Sequence, residues 1–299
     1  MSRMIQEGEG AWTILKLMSW TRDYFASRDI ESARADAEIL LAHCLGLRRI
    51  DLYVQHEKPL TGEELAKFRE LVKRRAQREP VAYITGEKEF WSLPLKVTPA
   101  VLIPRPETEC LVETALAVLS KKEPPGPRRI LDLGTGSGAI VLALAVERSR
   151  DVFFATDRSC EALSIARENA RRHGLGDRIS FLEGDWFSPV SAAEPGFDLI
   201  VSNPPYIRRR DIEGLQPEIR QFEPGGALDG GPDGIDCLAH IILTAPRYLR
   251  PSGSLLLEMG HDQKLLLAEV AQRAGCYEDA VFFRDYGGHD RVLQLRKKH

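Results

Sequence analysis

Apolar positions change their period along the chain, and the changes mark out different kinds of element. Trp12, Leu15, Leu17, Trp20, Tyr24 and Phe25 recur at near-helical spacing. So do Ile39, Leu40, Leu41 and Leu45, in a stretch from Ala35 that Gly46 is placed to stop. Thr61-Gly62-Glu63-Glu64 has the order of a capping box, in which Thr61 and Glu64 each bond the other's backbone N–H. The helix it opens continues through Leu65, Phe68 and Leu71 to Arg78, where Pro80 ends it. Residues 1–80 are therefore expected to form a small helical domain that recognises a substrate.

From Val81 to Ile103 the pattern turns to short β-type runs broken by proline, with Phe90-Trp91-Ser92-Leu93-Pro94-Leu95-Lys96-Val97 at their centre. A β-hairpin linker is expected over 81–104. Pro104-Arg105-Pro106-Glu107-Thr108-Glu109 is a rigid turn feeding a helix, Cys110 to Ser120, with acidic residues at its N-terminus as the helix dipole favours. Pro124-Pro125-Gly126-Pro127 is a short loop.

Beyond it, strand and helix patterns alternate. Strands are expected at Arg129–Leu133, Val152–Thr156, Ile179–Glu183, Phe197–Ser202 and Gly253–Met259, and near Ala280–Arg284 and Arg291–Leu295. Helices are expected at Ala139–Glu147, Cys160–His173, Ile235–Tyr248 and Gln263–Ala274. Such alternation predicts an α/β domain over 105–299: a mostly parallel sheet with helices on both faces.

Composition adds exclusions. The chain is 43% hydrophobic and 28% charged, with a net charge of −3, so it has no generally basic surface for nucleic acid. Residues 1–80 hold 14 Lys plus Arg against 13 Asp plus Glu, a near-neutral balance unlike a phosphate clamp. Cys44, Cys110, Cys160, Cys237 and Cys276 are scattered without a C-x-x-C pair, so no metal site or disulfide framework is expected. Gln6-Glu7-Gly8-Glu9-Gly10 breaks any signal-peptide pattern, and no apolar run reaches the roughly 18 residues of a membrane helix. A cytoplasmic protein without a membrane partner is expected.

The chemistry begins where Arg129-Ile130-Leu131-Asp132 ends a strand and Leu133-Gly134-Thr135-Gly136-Ser137-Gly138 turns into a helix. Glycines let the backbone turn tightly and approach a ligand closely. Dinucleotide-binding folds share this strand–turn–helix arrangement. The G-x-G-x-G spacing, with Asp132 just before the first glycine, favours S-adenosylmethionine. That cofactor lacks a pyrophosphate but carries cationic groups an acidic strand end suits. Gly134, Thr135, Gly136, Ser137 and Gly138 are the candidate cradle. Asp157, at the tip of the next strand, is placed to accept from both ribose hydroxyls. Asp185 could accept from the adenine amino group, and Trp186 could contact adenine or serve as a core residue.

Asn203-Pro204-Pro205-Tyr206 closes the fourth strand of the alternating series. The prolines fix φ and remove N–H donors, leaving carbonyls in defined directions. The Asn203 side-chain oxygen and the Pro204 carbonyl could each accept one N–H of a planar amide or amine, with Tyr206 offering a flat face. Catalysis would then be orientation of a nitrogen, without a general base. Asn203, Pro204 and Tyr206 are the candidate catalytic residues, and Asn203 to Tyr206 the candidate substrate site. The motif alone suits adenine N6 as well as glutamine N5.

With these motifs in place, the chain resembles the HemK/PrmC family of glutamine N5 methyltransferases. The likeness also rests on Pro80-Val81-Ala82-Tyr83-Ile84-Thr85-Gly86, Leu102 to Glu109, Gly184-Asp185-Trp186-Phe187 and Leu257-Glu258-Met259-Gly260 with Gln263. Arg284-Asp285-Tyr286 with Asp290-Arg291 completes it; Thr156 departs from the hydrophobic residue common at its position. The resemblance implies a Rossmann-like class I methyltransferase with a seven-stranded sheet and an antiparallel edge. It implies that Gly134 to Gly138, Asp157, Trp186 and Asn203 contact the cofactor. The implied partner is a bacterial class I peptide chain release factor, modified in its Gly-Gly-Gln loop, with no direct nucleic acid contact.

Two rivals stand beside this: a sister enzyme acting on a ribosomal-protein glutamine, and a DNA adenine N6 methyltransferase. For the second, Arg208-Arg209-Arg210 is a local basic cluster. The near-neutral helical domain counts against it. A non-catalytic cofactor-binding protein would require a missing site residue, and none is missing.

Overall fold

A computed structural model describes residues 11–120, 126–192 and 196–299. Gln6 to Gly10 and the Pro124-Pro125 half of the proline loop lie outside the described residues. Two compact units divide at Gly86.

The first unit holds α1 (Ile14–Ala26), α2 (Ala33–Leu45), α3 (Arg49–Val54), α4 (Gly62–Ala76) and α5 (Val81–Thr85). Ile14, Leu17, Met18, Thr21 and Phe25 form the buried stripe of α1. Leu15, counted in the stripe from sequence, faces outward and is 47% exposed. Gly46 ends α2 in the left-handed conformation at φ +64, which a residue without Cβ adopts freely. The capping box forms as its spacing requires: Thr61 Oγ1 accepts from the Glu64 N–H at 3.2 Å, and Glu64 Oε2 from the Thr61 N–H at 2.8 Å. Within the core, Asp36 on α2 and Arg75 on α4 pair at 2.6 Å, both buried.

The expected linker over 81–104 divides differently. Val81–Thr85 is a helix rather than a β-type run, and the first unit runs past Pro80 to Gly86. Tyr83 and Ile84 are buried on it. The hairpin itself, β1 (Glu87–Phe90) and β2 (Leu93–Lys96), belongs to the second unit. Its turn places Trp91 and Ser92 at φ +52 and +58. Two carboxylates brace it: Glu109 accepts the Trp91 backbone N–H at 3.0 Å and Glu147 the indole N–H at 2.9 Å.

A short turn at Pro106–Thr108 leads into α6 (Glu109–Ser120). The alternating region follows as β3 (Arg129–Leu133), α7 (Ala139–Glu147), β4 (Val152–Asp157), α8 (Cys160–Arg172), β5 (Ile179–Glu183) and β6 (Phe197–Ser202). Then come α9 (Pro217–Phe222), α10 (Asp236–Thr244), β7 (Leu249–Glu258), α11 (Lys264–Ala274), β8 (Val281–Arg284) and β9 (Asp290–Arg296). Neither α9 nor α3 was expected from sequence: at six residues each, they are too short to show a repeating apolar period. The expected helix to Tyr248 ends as α10 at Thr244, and a tight turn follows at Ala245–Arg247, where Pro246 cannot donate the helical bond.

The seven-stranded sheet has the order β5-β4-β3-β6-β7-β9-β8. β5 through β7 are parallel neighbours, and β9 and β8 add antiparallel at the edge. Successive residues face opposite layers: Leu199 and Val201 join the cluster under α6 and α7, whereas Ile200 joins the one under α10 and α11. Burial on both faces is why these strands read as continuous apolar runs. Among the described residues no helix is long and apolar enough to cross a membrane.

Candidate active site

The carboxyl ends of β3, β4 and β6 border a cavity of about 720 Å³. β3 lies between β4 and β6, so the cavity sits at the switch point where open α/β sheets bind ligands.

The glycine loop forms one wall. Gly134, Gly136 and Gly138 take φ +67, +56 and +85, values costly for any residue with a Cβ. A Cβ at Gly134 would also lie 3.3 Å from Trp186 Cζ3, and one at Gly138 would lie 3.2 Å from Leu142 Cδ1. The first glycine thus admits the indole and the third lets α7 approach α8. Thr135 and Ser137 line the cavity between them.

Asp157 braces this loop. Its Oδ2 accepts the Gly136 N–H at 2.9 Å, and its Oδ1 the Ser159 N–H at 2.9 Å at the start of α8. The carboxylate is half-buried and faces the cavity. Asp185 and Trp186 line the same cavity. Trp186 holds φ +48, a sparsely populated conformation of the kind that collects at functional sites. Its ring both lines the cavity and packs on the core.

Asp132 is placed differently from expectation. It is fully buried and does not line the cavity; its Oδ2 accepts the Thr135 hydroxyl at 2.6 Å. Burial pushes its carboxyl up to about 7, against the Thr135 hydrogen bond. It supports the loop from beneath. Gly138 likewise stands behind the wall.

Of the Asn203-Pro204-Pro205-Tyr206 segment, Asn203 and Pro205 line the cavity. Pro204 is buried, and Tyr206 turns inward. The Tyr206 hydroxyl donates to Glu258 Oε1 at 3.0 Å, and Tyr206 does not line the cavity. Burial raises its pKa, helped by the Glu258 charge. Gln263, also buried, ties the segment's exit: its side-chain amide donates to the Tyr206 carbonyl at 2.8 Å and the Gly234 carbonyl at 3.0 Å.

Sequence reasoning passed over three residues as site members. Thr108 lines the cavity, and its Oγ1 accepts from Asn203 Nδ2 at 3.2 Å. Glu258 ends β7 with 1% exposure. Glu223 is buried behind the wall, accepting from the Ile103 N–H at 3.2 Å and from Arg105. The available signal was a glutamate at the end of an apolar strand, which in a buried position needs partners.

Arg208 and Arg209 are engaged by Asp262 at 2.6 Å and Asp229 at 2.9 Å. Their acidic partners offset the basic cluster seen in the sequence.

The cavity fits S-adenosylmethionine. Its volume suits a ligand of that size. The loop leaves Gly134 and Gly136 free of side chains, and Asp157 retains lone pairs toward the cavity for hydroxyl donors. Trp186 offers an aromatic surface for a base.

Residues 16–86 match the PrmC N-terminal domain, and residues 127–294 match a methyltransferase domain. The chain is 46% identical over 282 residues to the release factor glutamine methyltransferase of Geobacter sulfurreducens, covering 94% of this chain and 96% of that one. It is 44% identical to the enzyme of that name in Escherichia coli, covering 93% of this chain and 98% of the other. A solved methyltransferase from Pyrococcus furiosus superposes with a TM-score of 0.50 at 19% identity, covering 76% of this chain and 99% of that one, which speaks for the fold alone. Glycine loop, Asn-Pro-Pro-Tyr segment and identity over more than nine-tenths of the chain agree, and the chain belongs to the release factor glutamine methyltransferase family.

Proposed function

We propose that the protein transfers the methyl group of S-adenosylmethionine to the side-chain amide nitrogen of a glutamine in a peptide chain release factor. The observation that carries this is the placement of Asn203 and Pro205 in the same cavity as the glycine loop and Asp157. A nitrogen held at Asn203 is therefore beside the cofactor cradle.

When bound, S-adenosylmethionine supplies an electrophilic methyl on a sulfonium. Asn203 Oδ1 and the Pro204 carbonyl accept the two N–H bonds of the glutamine amide. Both contacts draw the nitrogen lone pair out of conjugation and aim it along the transfer axis. Held by the glycine loop and Asp157, S-adenosylmethionine would supply its methyl group to that nitrogen, its sulfur keeping the electron pair of the broken carbon–sulfur bond. The surplus N–H proton then leaves to solvent, so no side chain serves as base. As positive charge grows on nitrogen, the two acceptors bind it more strongly than the ground state.

A Gly-Gly-Gln loop suits this recess, since flanking glycines add no side chains to hinder entry. The helical unit is assigned to gripping the rest of the factor, and such a substrate implies a cytoplasmic site of action.

The test supplies labelled S-adenosylmethionine with a release factor, a ribosomal protein and adenine-containing DNA in parallel. Label should enter the release factor and map to one glutamine. Label in DNA or ribosomal protein alone would overturn the assignment.

A further inference from the structure

Thr108, Glu258 and Arg291 fall in three separate stretches of the resemblance, and the chemistry above uses none of them. The structure brings them together behind Asn203. Thr108 Oγ1 accepts from Asn203 Nδ2 at 3.2 Å. Glu258 receives the Tyr206 hydroxyl on Oε1 at 3.0 Å. Its Oε2 is buried without a hydrogen-bond partner, with the Thr108 hydroxyl beside the same carboxyl. Burial raises the Glu258 pKa, and the Thr108 and Tyr206 hydroxyls and the Arg291 charge act against that rise; Arg291 donates to the Met259 carbonyl at 3.3 Å and is anchored by Asp285 at 3.1 Å.

An asparagine amide can be held either way round, with oxygen or NH2 toward the substrate. Only the first can accept an N–H of a glutamine amide. A threonine hydroxyl facing Asn203 does not by itself choose, because it can donate or accept. An ionised carboxylate does choose. It is acceptor-only, so it draws the Thr108 proton to itself and leaves only lone pairs toward Asn203. Asn203 must then offer Nδ2 to Thr108 and Oδ1 to the cavity.

We propose that Glu258 and Thr108 are positioning residues that set the orientation of the Asn203 amide, with the Arg291 charge acting on the same carboxyl. Tyr206 is the second hydroxyl on the same carboxylate, so one buried acid holds both ends of the Asn-Pro-Pro-Tyr segment. Isolated buried carboxylates are costly. Its location behind the one amide whose orientation matters gives it a purpose. The inference rests on Asn203 accepting from the substrate nitrogen.

The test compares Thr108→Val, Thr108→Ser, Glu258→Gln and the Thr108→Val/Glu258→Gln pair, alongside Asn203→Ala. Thr108→Val keeps the shape and removes the hydroxyl; Glu258→Gln can donate to Thr108 and so releases the hydroxyl to donate to Asn203. Each should lower kcat about 30- to 100-fold, the scale of a misplaced reacting group. Affinity for S-adenosylmethionine, measured by calorimetry, should stay within about threefold. Thr108→Ser should recover at least about a third of the rate, and the pair should be little worse than either single change, because both act through one amide.

The second readout is the Asn203 side-chain NH2 signal in NMR, identified by its loss in Asn203→Ala. It should be protected from hydrogen exchange in the parent protein and lose protection in Thr108→Val. Multiplying losses in the pair, an unprotected amide in the parent, or full turnover in Thr108→Val would each overturn the proposal. An inactive Asn203→Ala beside a fully active Thr108→Val would reject it while leaving the proposed function intact. A fully active Asn203→Ala would reject the reading of Asn203 itself.

Discussion

Asp157 accepts the Gly136 N–H and the Ser159 N–H, each at 2.9 Å, through its two oxygens. One carboxylate therefore fixes both the cofactor loop and the start of α8, while keeping lone pairs toward the cavity. Asp157→Ala removes the brace together with the acceptor proposed for the ribose. Hydrogen bonds to a charged group are worth roughly 1.5–3 kcal/mol, so cofactor affinity should fall about 10- to 150-fold. Calorimetric titration with S-adenosylmethionine measures this, and a loss under threefold would remove Asp157 from the binding site.

Asp132 has a pH dependence of definite sign. Its carboxyl titrates at about 7 in the folded protein against an ordinary 3.8, chiefly because it is buried. Between those values the folded protein holds a proton that the unfolded chain has lost. Its contribution to stability therefore falls as pH rises through that window. A cationic ligand near the loop favours the ionised form. Binding of S-adenosylmethionine should thus release a proton, and affinity should strengthen as pH rises from about 6 to about 8. Calorimetry in buffers of different ionisation heat reads the proton directly. Asp132→Asn should abolish the buffer dependence; an unchanged dependence in that variant would assign the proton elsewhere.

The sheet was largely legible because its strands are buried on both faces and separated by helices with a clear period. Ile130, Leu131 and Leu133 announce a central strand whatever packs on it. The hairpin was legible as a hairpin but not in its allegiance. Val81–Thr85 has no turn signal before Gly86, and its helical state depends on packing. In the site, Gly134 to Gly138 and Asn203 carry their chemistry in local spacing. Thr108 and Glu258 do not, because Thr108 meets Asn203 across 95 positions and Glu258 meets Tyr206 across 52. Asp132 was misread for the same reason: sequence shows a carboxylate near the loop, but not that it lies beneath it.

The helical unit offers a separate test of its own core. Asp36 and Arg75 pair at 2.6 Å with side-chain exposures of 8% and 5%. Removing one partner leaves a buried charge uncompensated, a loss of about 3–5 kcal/mol. Arg75→Ala should therefore destabilise this unit strongly. The pair Asp36→Leu/Arg75→Met should recover most of the loss, since apolar residues of similar volume need no partner. Denaturant unfolding followed by Trp12 and Trp20 fluorescence reports on it. A double variant no more stable than Arg75→Ala would show that the pair itself holds the fold.

Thr156 sits next to Asp157 and is fully buried, with no partner for its Oγ1. Its backbone is engaged, since the Thr156 carbonyl accepts the Thr135 N–H at 2.9 Å. Its hydroxyl, by contrast, was stripped of water without a return. Valine has nearly the same shape and no polar group to desolvate, and β-branched residues suit a strand. Thr156→Val should therefore stabilise the protein, by about 1 kcal/mol if the hydroxyl is wholly unsatisfied. The Asp157 contacts lie on the next residue and should be undisturbed, so cofactor affinity should hold within about twofold. Thermal unfolding with and without S-adenosylmethionine reads both quantities in one experiment. A lower midpoint in Thr156→Val would mean that the hydroxyl makes a favourable bond, most simply to a buried water.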